Sequence, residues 1–173
     1  MIRCFSAGDR PWVTKVAALV YLELGDYARI IASWLDHPGV FAFVEQSDLT
    51  AERRAFALLG FCEPPEGPPG TCIADLLAIA VAPPFQRQGI GRSMLTHVMD
   101  VAESLGRRWQ VGEIRLTVAD GNQVGQHLYT SAGFRVLDPE HGRYDGGQRA
   151  IRMVRSLPLP PRSLSSHRPS KTD

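Results

Sequence analysis

One stretch limits this chain more than any other. Residues 76–91 read LLAIAVAPPFQRQGIG, an apolar run that turns over a proline pair into a glycine-bearing helix start. A run so free of polar residues fits a central strand covered on both faces, closed by Pro83–Pro84. The helix expected over 91–105 carries Leu95, Val98, Met99, Ala102 and Leu105 along one side, with Asp100 and Glu103 toward water. First-turn N–H groups of such a helix have no intrahelical partner and lie at the positive end of its dipole. Gly89 and Gly91 let an anion approach the backbone, and Arg87 and Arg92 add positive charge, so the turn suits diphosphate binding. A dinucleotide fingerprint would need a third glycine where Met94 stands, and the P-loop pattern is absent. On the glycines alone, a turn that only caps a helix fits as well.

The flanking elements follow from periodicity. Residues 2–6 read as a short strand, and Asp9–Arg10–Pro11 as a helix start with proline in its first turn. Asp26 is placed to cap a second helix, where Tyr27, Ile30, Ile31, Trp34 and Leu35 recur at i, i+3, i+4, i+7 and i+8. Residues 40–45 and 53–62 read as an antiparallel strand pair. Residues 63–70 (EPPEGPPG) hold four prolines and two glycines and must form a loop. Residues 113–119 alternate, with Ile114, Leu116 and Val118 on one face. Residues 122–132 read as a short helix that ends in a left-handed cap at Gly133. A hairpin of 135–137 and 148–155 follows. From Ser156 onward nine of eighteen residues are Pro or Ser, which predicts a domain over 1–155 and a disordered tail over 156–173. The order β-α-α-β-β-β-α-β-α-β-β predicts an α+β domain with a mixed, mostly antiparallel central sheet flanked by helices.

Composition removes several classes of function. With 173 residues, 44% of them apolar, the chain can build one sizeable core. Nineteen Lys and Arg against eighteen Asp and Glu leave a net charge of +1, which argues against nucleic acid or a membrane surface as partner. That charge is uneven: residues 1–134 hold eleven basic and fourteen acidic residues, residues 135–173 eight and four. Cys4, Cys62 and Cys72 lack CxxC spacing, which predicts free thiols and neither a disulfide framework nor a zinc site. No metal is expected. The apolar run 16–22 is too short to span a membrane, and no signal-peptide pattern accompanies it. A cytoplasmic location is expected, and a homodimer stays open.

Two motifs together resemble the GCN5-related N-acetyltransferase family. Its coenzyme A signature is Gln or Arg, two residues, Gly, one residue, then Gly or Ala. Gln86, Arg87, Gln88, Gly89, Ile90 and Gly91 meet it, after a strand ending Ile79–Ala80–Val81. A second signature is met by Asn122, Gly125, Leu128, Tyr129, Gly133 and Phe134. The element order is similar to the family's fold over about residues 1–155. The resemblance implies transfer of acetyl from acetyl-CoA to a primary amine, by direct attack in a ternary complex. It puts the diphosphate on the amides of Gln88, Gly89, Ile90, Gly91 and Arg92, the pantetheine along Ile79–Val81, and Asn122 beside that arm.

The same resemblance makes Tyr129 the general acid, against the plain reading of a tyrosine packed in the core. Phenol ionises near pH 10 and a thiol near 8.5, so the proton transfer is uphill unless the site lowers the phenol. Asp75 stands where many family members carry a basic glutamate, although a strand-edge carboxylate is also simply solvated. Thr117 occupies the place of the glutamate used by bacterial enzymes that acetylate ribosomal-protein N-termini. Glu113 lies too far along its strand, and His127 points away from Tyr129 on its helix. A lysine amine is free about a thousandth of the time near neutrality and an α-amine about a tenth, a gap worth about 3.4 kcal/mol. An α-amine acceptor therefore manages with a weak base. The hairpin sequence 144–153 is similar to that of protein N-terminal acetyltransferases, which makes Tyr144 a candidate peptide contact; a plain glycine-rich turn also fits. A peptide or protein N-terminus competes with a small amine such as a polyamine, amino acid or aminoglycoside, and the basic C-terminal part argues against a polycation. A non-catalytic coenzyme A-binding module and a tail that binds partners through Pro158–Leu159–Pro160–Pro161 complete the alternatives.

Overall fold

The computed structural model describes residues 1–64 and 72–158. Seven strands form one sheet: β1 (Ile2–Cys4), β2 (Val40–Gln46), β3 (Arg53–Cys62), β4 (Ile73–Val81), β5 (Glu113–Ala119), β6 (Arg135–Arg143) and β7 (Arg149–Ser156). Their spatial order is β1-β2-β3-β4-β5-β7-β6, and every neighbouring pair is antiparallel except β4 and β5. That parallel pair needs a crossover, which α3 (Ile90–Trp109) supplies. The helices α1 (Arg10–Val20) and α2 (Tyr27–Leu35) cover one face through Val13, Val16 and Ile31. Met94, Leu95 and Val98 of α3 cover the other, joined there by Tyr129 of α4 (Gln123–Ser131). The α+β architecture and the element order are those the sequence predicts.

β4 departs from a plain central strand. Leu58 pairs with Ala78 but Leu59 pairs with Leu76, so Leu77 is an extra residue, a β-bulge. The bulge exchanges the two faces. Before it, Ala74 and Leu76 join the α3 core; after it, Ala78 and Ala80 join the α1–α2 core while Ile79 and Val81 turn to α3. Pairing with β5 also stops there, at Leu76 and Leu116. Beyond this point β4 and β5 part, and a gap opens in the middle of the sheet.

Other boundaries shift for physical reasons. Asp9 does not cap α1 through its side chain. Its carboxylate is fully buried and receives Arg3 at 2.7 and 2.9 Å, Arg53 at 2.6 Å and the Ser6 amide and hydroxyl at 2.8 and 2.9 Å, tying β1 to β3. α3 runs on through Gly106, where a Cβ would crowd the Val111 carbonyl at 3.1 Å, to a left-handed cap at Gln110. β6 continues past Pro139 to Arg143, because an edge strand with register shifts tolerates a missing N–H. The domain boundary expected at 155 falls inside β7: Ser156 ends that strand and Leu157 is buried, its amide bonded to the Gly112 carbonyl. Residues 159–173, most of the expected tail, lie outside the described residues, as do 65–71 of the expected proline-rich loop. Among the described residues the cysteines are free, and no helix is long and apolar enough to cross a membrane.

Candidate active site

The turn after β4 is built to leave its amides unused. Arg87 and Gly89 both adopt left-handed backbone, at φ 64° and 79°, a conformation strained for arginine and easy for glycine. Among the described residues, no amide from Gln88 to Arg92 meets a protein acceptor, and the first intrahelical bond runs from Ser93 N to Gly89 O. Open space lies where a Gly89 Cβ would stand. Arg87 and Arg92 are exposed and form no ion pair among the described residues. Free amides, free guanidinium groups and open space fit a diphosphate. The two glutamines serve the turn itself: Gln86 Nε2 donates to Val81 O at 3.0 Å and Gln88 Nε2 to Pro84 O at 3.2 Å. Asn122 likewise caps α4, its Oδ1 accepting from the Gly125 amide at 2.9 Å. A Cβ at 125 would meet that side chain at 2.7 Å, which explains the small residue of the motif.

The other side of the gap holds a cavity of about 360 Å³. Tyr27 and Trp34 of α2, Asp75 and Leu77 of β4, Thr117 of β5, Tyr144 of the β6–β7 loop and Arg152 of β7 line it. Asp75 accepts from Arg152 Nη2 at 2.9 Å, and each side chain is largely enclosed, at 17% and 18% exposure. Burial raises the Asp75 carboxyl above its ordinary value, and the charges of Arg152, Arg115 and His141 oppose that rise without cancelling it. Arg152 Nη1 also meets His141 Nε2 at 2.9 Å, while its Nε is buried without a partner among the described residues. Glu113 pairs with Arg115 at 2.6 Å outside this cavity, and His127 is exposed, as the sequence predicts for both.

All four tyrosines of the chain converge on the gap. Tyr129 approaches from the α3–α4 side, 8% exposed, its ring edge-on to Phe134. Burial first and the nearby Tyr27 second push its phenol well above the ordinary value. The fold does not lower this phenol but raises it, because an apolar enclosure disfavours phenolate. Tyr144 is likewise raised, by burial and then by Tyr27 and Tyr129. From the α1–α2 side, Tyr21 lies 4.8 Å from Tyr27, which lies 6.1 Å from Tyr144 between ring centres. The loop that carries Tyr144 docks on the α1–α2 connection: Gly146 N donates to Leu24 O at 3.1 Å, and a Cβ at 146 would collide with the Glu23 carbonyl. The glycine there permits that close approach.

Sequence reasoning misses Tyr21, Tyr27, Trp34, His141 and Arg152. Tyr27 and Trp34 read as a core stripe and Tyr21 as part of an apolar run, and only the fold turns the first two to a cavity and the third to the gap. Arg152 did leave a signal, an arginine set between the apolar Ile151 and Met153 in the middle of a strand. Among the described residues no cluster of metal-ligating side chains is present.

Known proteins share the fold and the family. The sequence model of the Acetyltransferase (GNAT) family matches residues 14–134. The [Ribosomal protein bS18]-alanine N-acetyltransferase of Escherichia coli (strain K12) is 38% identical over 89 residues, 50% of this chain and 56% of that protein. The chain thus spans little more than half the length of this relative. The crystal structure of the ribosomal-protein-S18-alanine N-acetyltransferase from Escherichia coli superposes with a TM-score of 0.70 at 24% identity, covering 95% of this chain and 97% of that one. Arabidopsis thaliana NAA60, in complex with a bisubstrate analogue, gives 0.73 at 12% identity over 91% and 97%. At such identities these structures speak for the fold. On the family match, the chain belongs to the acetyltransferase (GNAT) family.

Proposed function

We propose that this chain transfers acetyl from acetyl-CoA to the α-amine of a peptide or protein N-terminus. The observation that carries the reading is a turn of unused amides after β4 together with a cavity beside the β4–β5 gap. One offers unpaired amides from Gln88 to Arg92 for a diphosphate. The other is an aromatic-walled cavity with one carboxylate, Asp75, on its floor. Bound acetyl-CoA supplies an acetyl group already activated as a thioester. The bond made joins the acceptor nitrogen to the acetyl carbon; the bond broken is carbon–sulfur; the nitrogen loses a proton and the sulfur gains one.

Asp75 is the group placed to take the amine proton, and its raised carboxyl makes it a better base than an exposed aspartate. Arg152 holds it in place. Tyr129 keeps its proton throughout the physiological range, so it acts as a hydrogen-bond donor to the departing sulfur, with solvent completing the protonation. Tyr144 and Tyr27 flank the acceptor. Arg143 and Arg152 line the cavity against a single Asp75, a charge balance that disfavours polyamines and aminoglycosides. The name of the Escherichia coli relative, an alanine N-acetyltransferase of a ribosomal protein, supports a protein acceptor.

Thiol release from acetyl-CoA, measured against peptides with free and blocked N-termini, amino acids and polyamines, tests the proposal. Turnover of free-N-terminus peptides alone is the expected result. Turnover confined to polyamines or free amino acids would replace the acceptor class; tight coenzyme A binding with no turnover would point to a non-catalytic module. Tyr129→Phe should lower kcat by about a hundredfold or more, with acetyl-CoA affinity held within about twofold, because the phenol acts on the departing sulfur.

A further inference from the structure

The open edge of β4 is plugged by the chain's own side chains. Tyr21, the residue that closes α1, sends its hydroxyl into the β4–β5 gap. It donates to the Ile79 carbonyl at 2.8 Å and accepts from the Ile79 amide at 3.0 Å. Those are the two groups a neighbouring strand would take, on the side where pairing with β5 has already ended at Leu76 and Leu116. One phenol oxygen, donor and acceptor at once, thus does the work of a strand's N–H and C=O. Two residues on, the Val81 carbonyl is taken in the same way by the Gln86 side chain at 3.0 Å.

An empty gap would leave the half-buried Ile79 amide and carbonyl without a protein partner, an arrangement that costs more the less water reaches them. An extended, amide-bearing ligand laid along the edge needs the same two groups. Both cannot hold them at once. We propose that Tyr21 is a stand-in for the acyl donor: it occupies Ile79 in the free protein and must leave when the arm of acetyl-CoA pairs with β4. The inference rests on the acetyl-CoA reading above and adds to it a competitor carried within the chain. The ring of Tyr21 packs on Tyr27, which in turn meets Tyr144 and Trp34, so its departure changes the packing of the acceptor wall. Donor binding is thereby felt in the acceptor cavity before any acceptor arrives.

The test is calorimetric titration of the full chain with acetyl-CoA, and separately with coenzyme A, in the absence of acceptor. Tyr21→Phe keeps the ring and removes the competing hydroxyl, so the dissociation constant should fall by about threefold to tenfold. An unchanged or weaker affinity in a variant whose thermal melting shows it folded overturns the proposal. A second measurement needs no variant. In the wild-type chain carrying ¹³C-labelled tyrosine, saturating acetyl-CoA should move the Tyr21 ring signals, and the ¹⁵N signal of the Ile79 amide should shift with them. A Tyr21 signal unmoved in the bound state overturns the proposal equally. If the wild-type chain binds neither acetyl-CoA nor coenzyme A, the functional reading itself fails, a result distinct from equal binding by both proteins.

Discussion

Asp9 and Asp75 are both enclosed carboxylates gripped by arginine, and the fold drives them in opposite directions. Asp9 takes five donated hydrogen bonds, from Arg3, Arg53 and Ser6, and these hold its carboxyl far below the ordinary value despite its complete burial. Among the described residues Asp75 takes one, from Arg152, and there burial wins and the carboxyl rises. Counting donors decides which effect prevails. A saturated carboxylate is a fastening; an undersupplied one can still exchange a proton. The first sits at the far end of the sheet between β1 and β3, and the second on the floor of the cavity.

The contrast can be broken at either end. Asp9→Asn should cost about 3 kcal/mol of stability in denaturant unfolding, since it leaves Arg3 and Arg53 converging on a neutral group, and should leave kcat unchanged. A loss below about 1 kcal/mol would show that the knot behaves as an ordinary surface ion pair. Asp75→Asn should do the reverse: kcat falls by about tenfold or more, while stability moves by no more than about 1 kcal/mol. Equal stability losses in both variants would erase the distinction.

Acid sharpens it further. Asp9 has a lowered carboxyl in the folded state, so it contributes stability above the unfolded carboxylate value of about 3.9, and that contribution is lost as pH falls toward the lowered value. The stability deficit of Asp9→Asn should therefore shrink in acid. Asp75 has a raised carboxyl, so its ionisation opposes folding above that value and the opposition disappears on acidification. The smallest effect expected is a displacement. Arg152 holds the Asp75 carboxyl down, so Arg152→Gln should move the acid limb of the kcat profile to higher pH. An unmoved limb would mean that Asp75 is not the group that titrates.

The order of elements was legible because each has a local signature: the i, i+4 stripe of Tyr27–Leu35, the alternation of Glu113–Ala119, the glycine after Ala132. The glycine turn after β4 was legible for the same reason, its motif lying in six consecutive residues. What stayed hidden is non-local. The bulge at Leu77 leaves no trace in a run that is apolar on both faces. Asp9 looked like a helix start because its partners Arg3 and Arg53 belong to two strands. Arg152 reaches Asp75 across 77 residues of sequence, and Tyr21 reaches Ile79 across 58. No window along the chain contains either pair.

The extra residue at Leu77 has one more consequence. It lets a single strand address two rooms: the half before it presents Asp75 to the cavity, and the half after it presents to the gap an edge that β5 does not pair. Removing one residue would rotate everything beyond by half a turn, sending Ile79 and Val81 into the other core and Ala78 and Ala80 out of theirs. β4 has no latitude in length, and its residue count is as much a part of the site as any side chain.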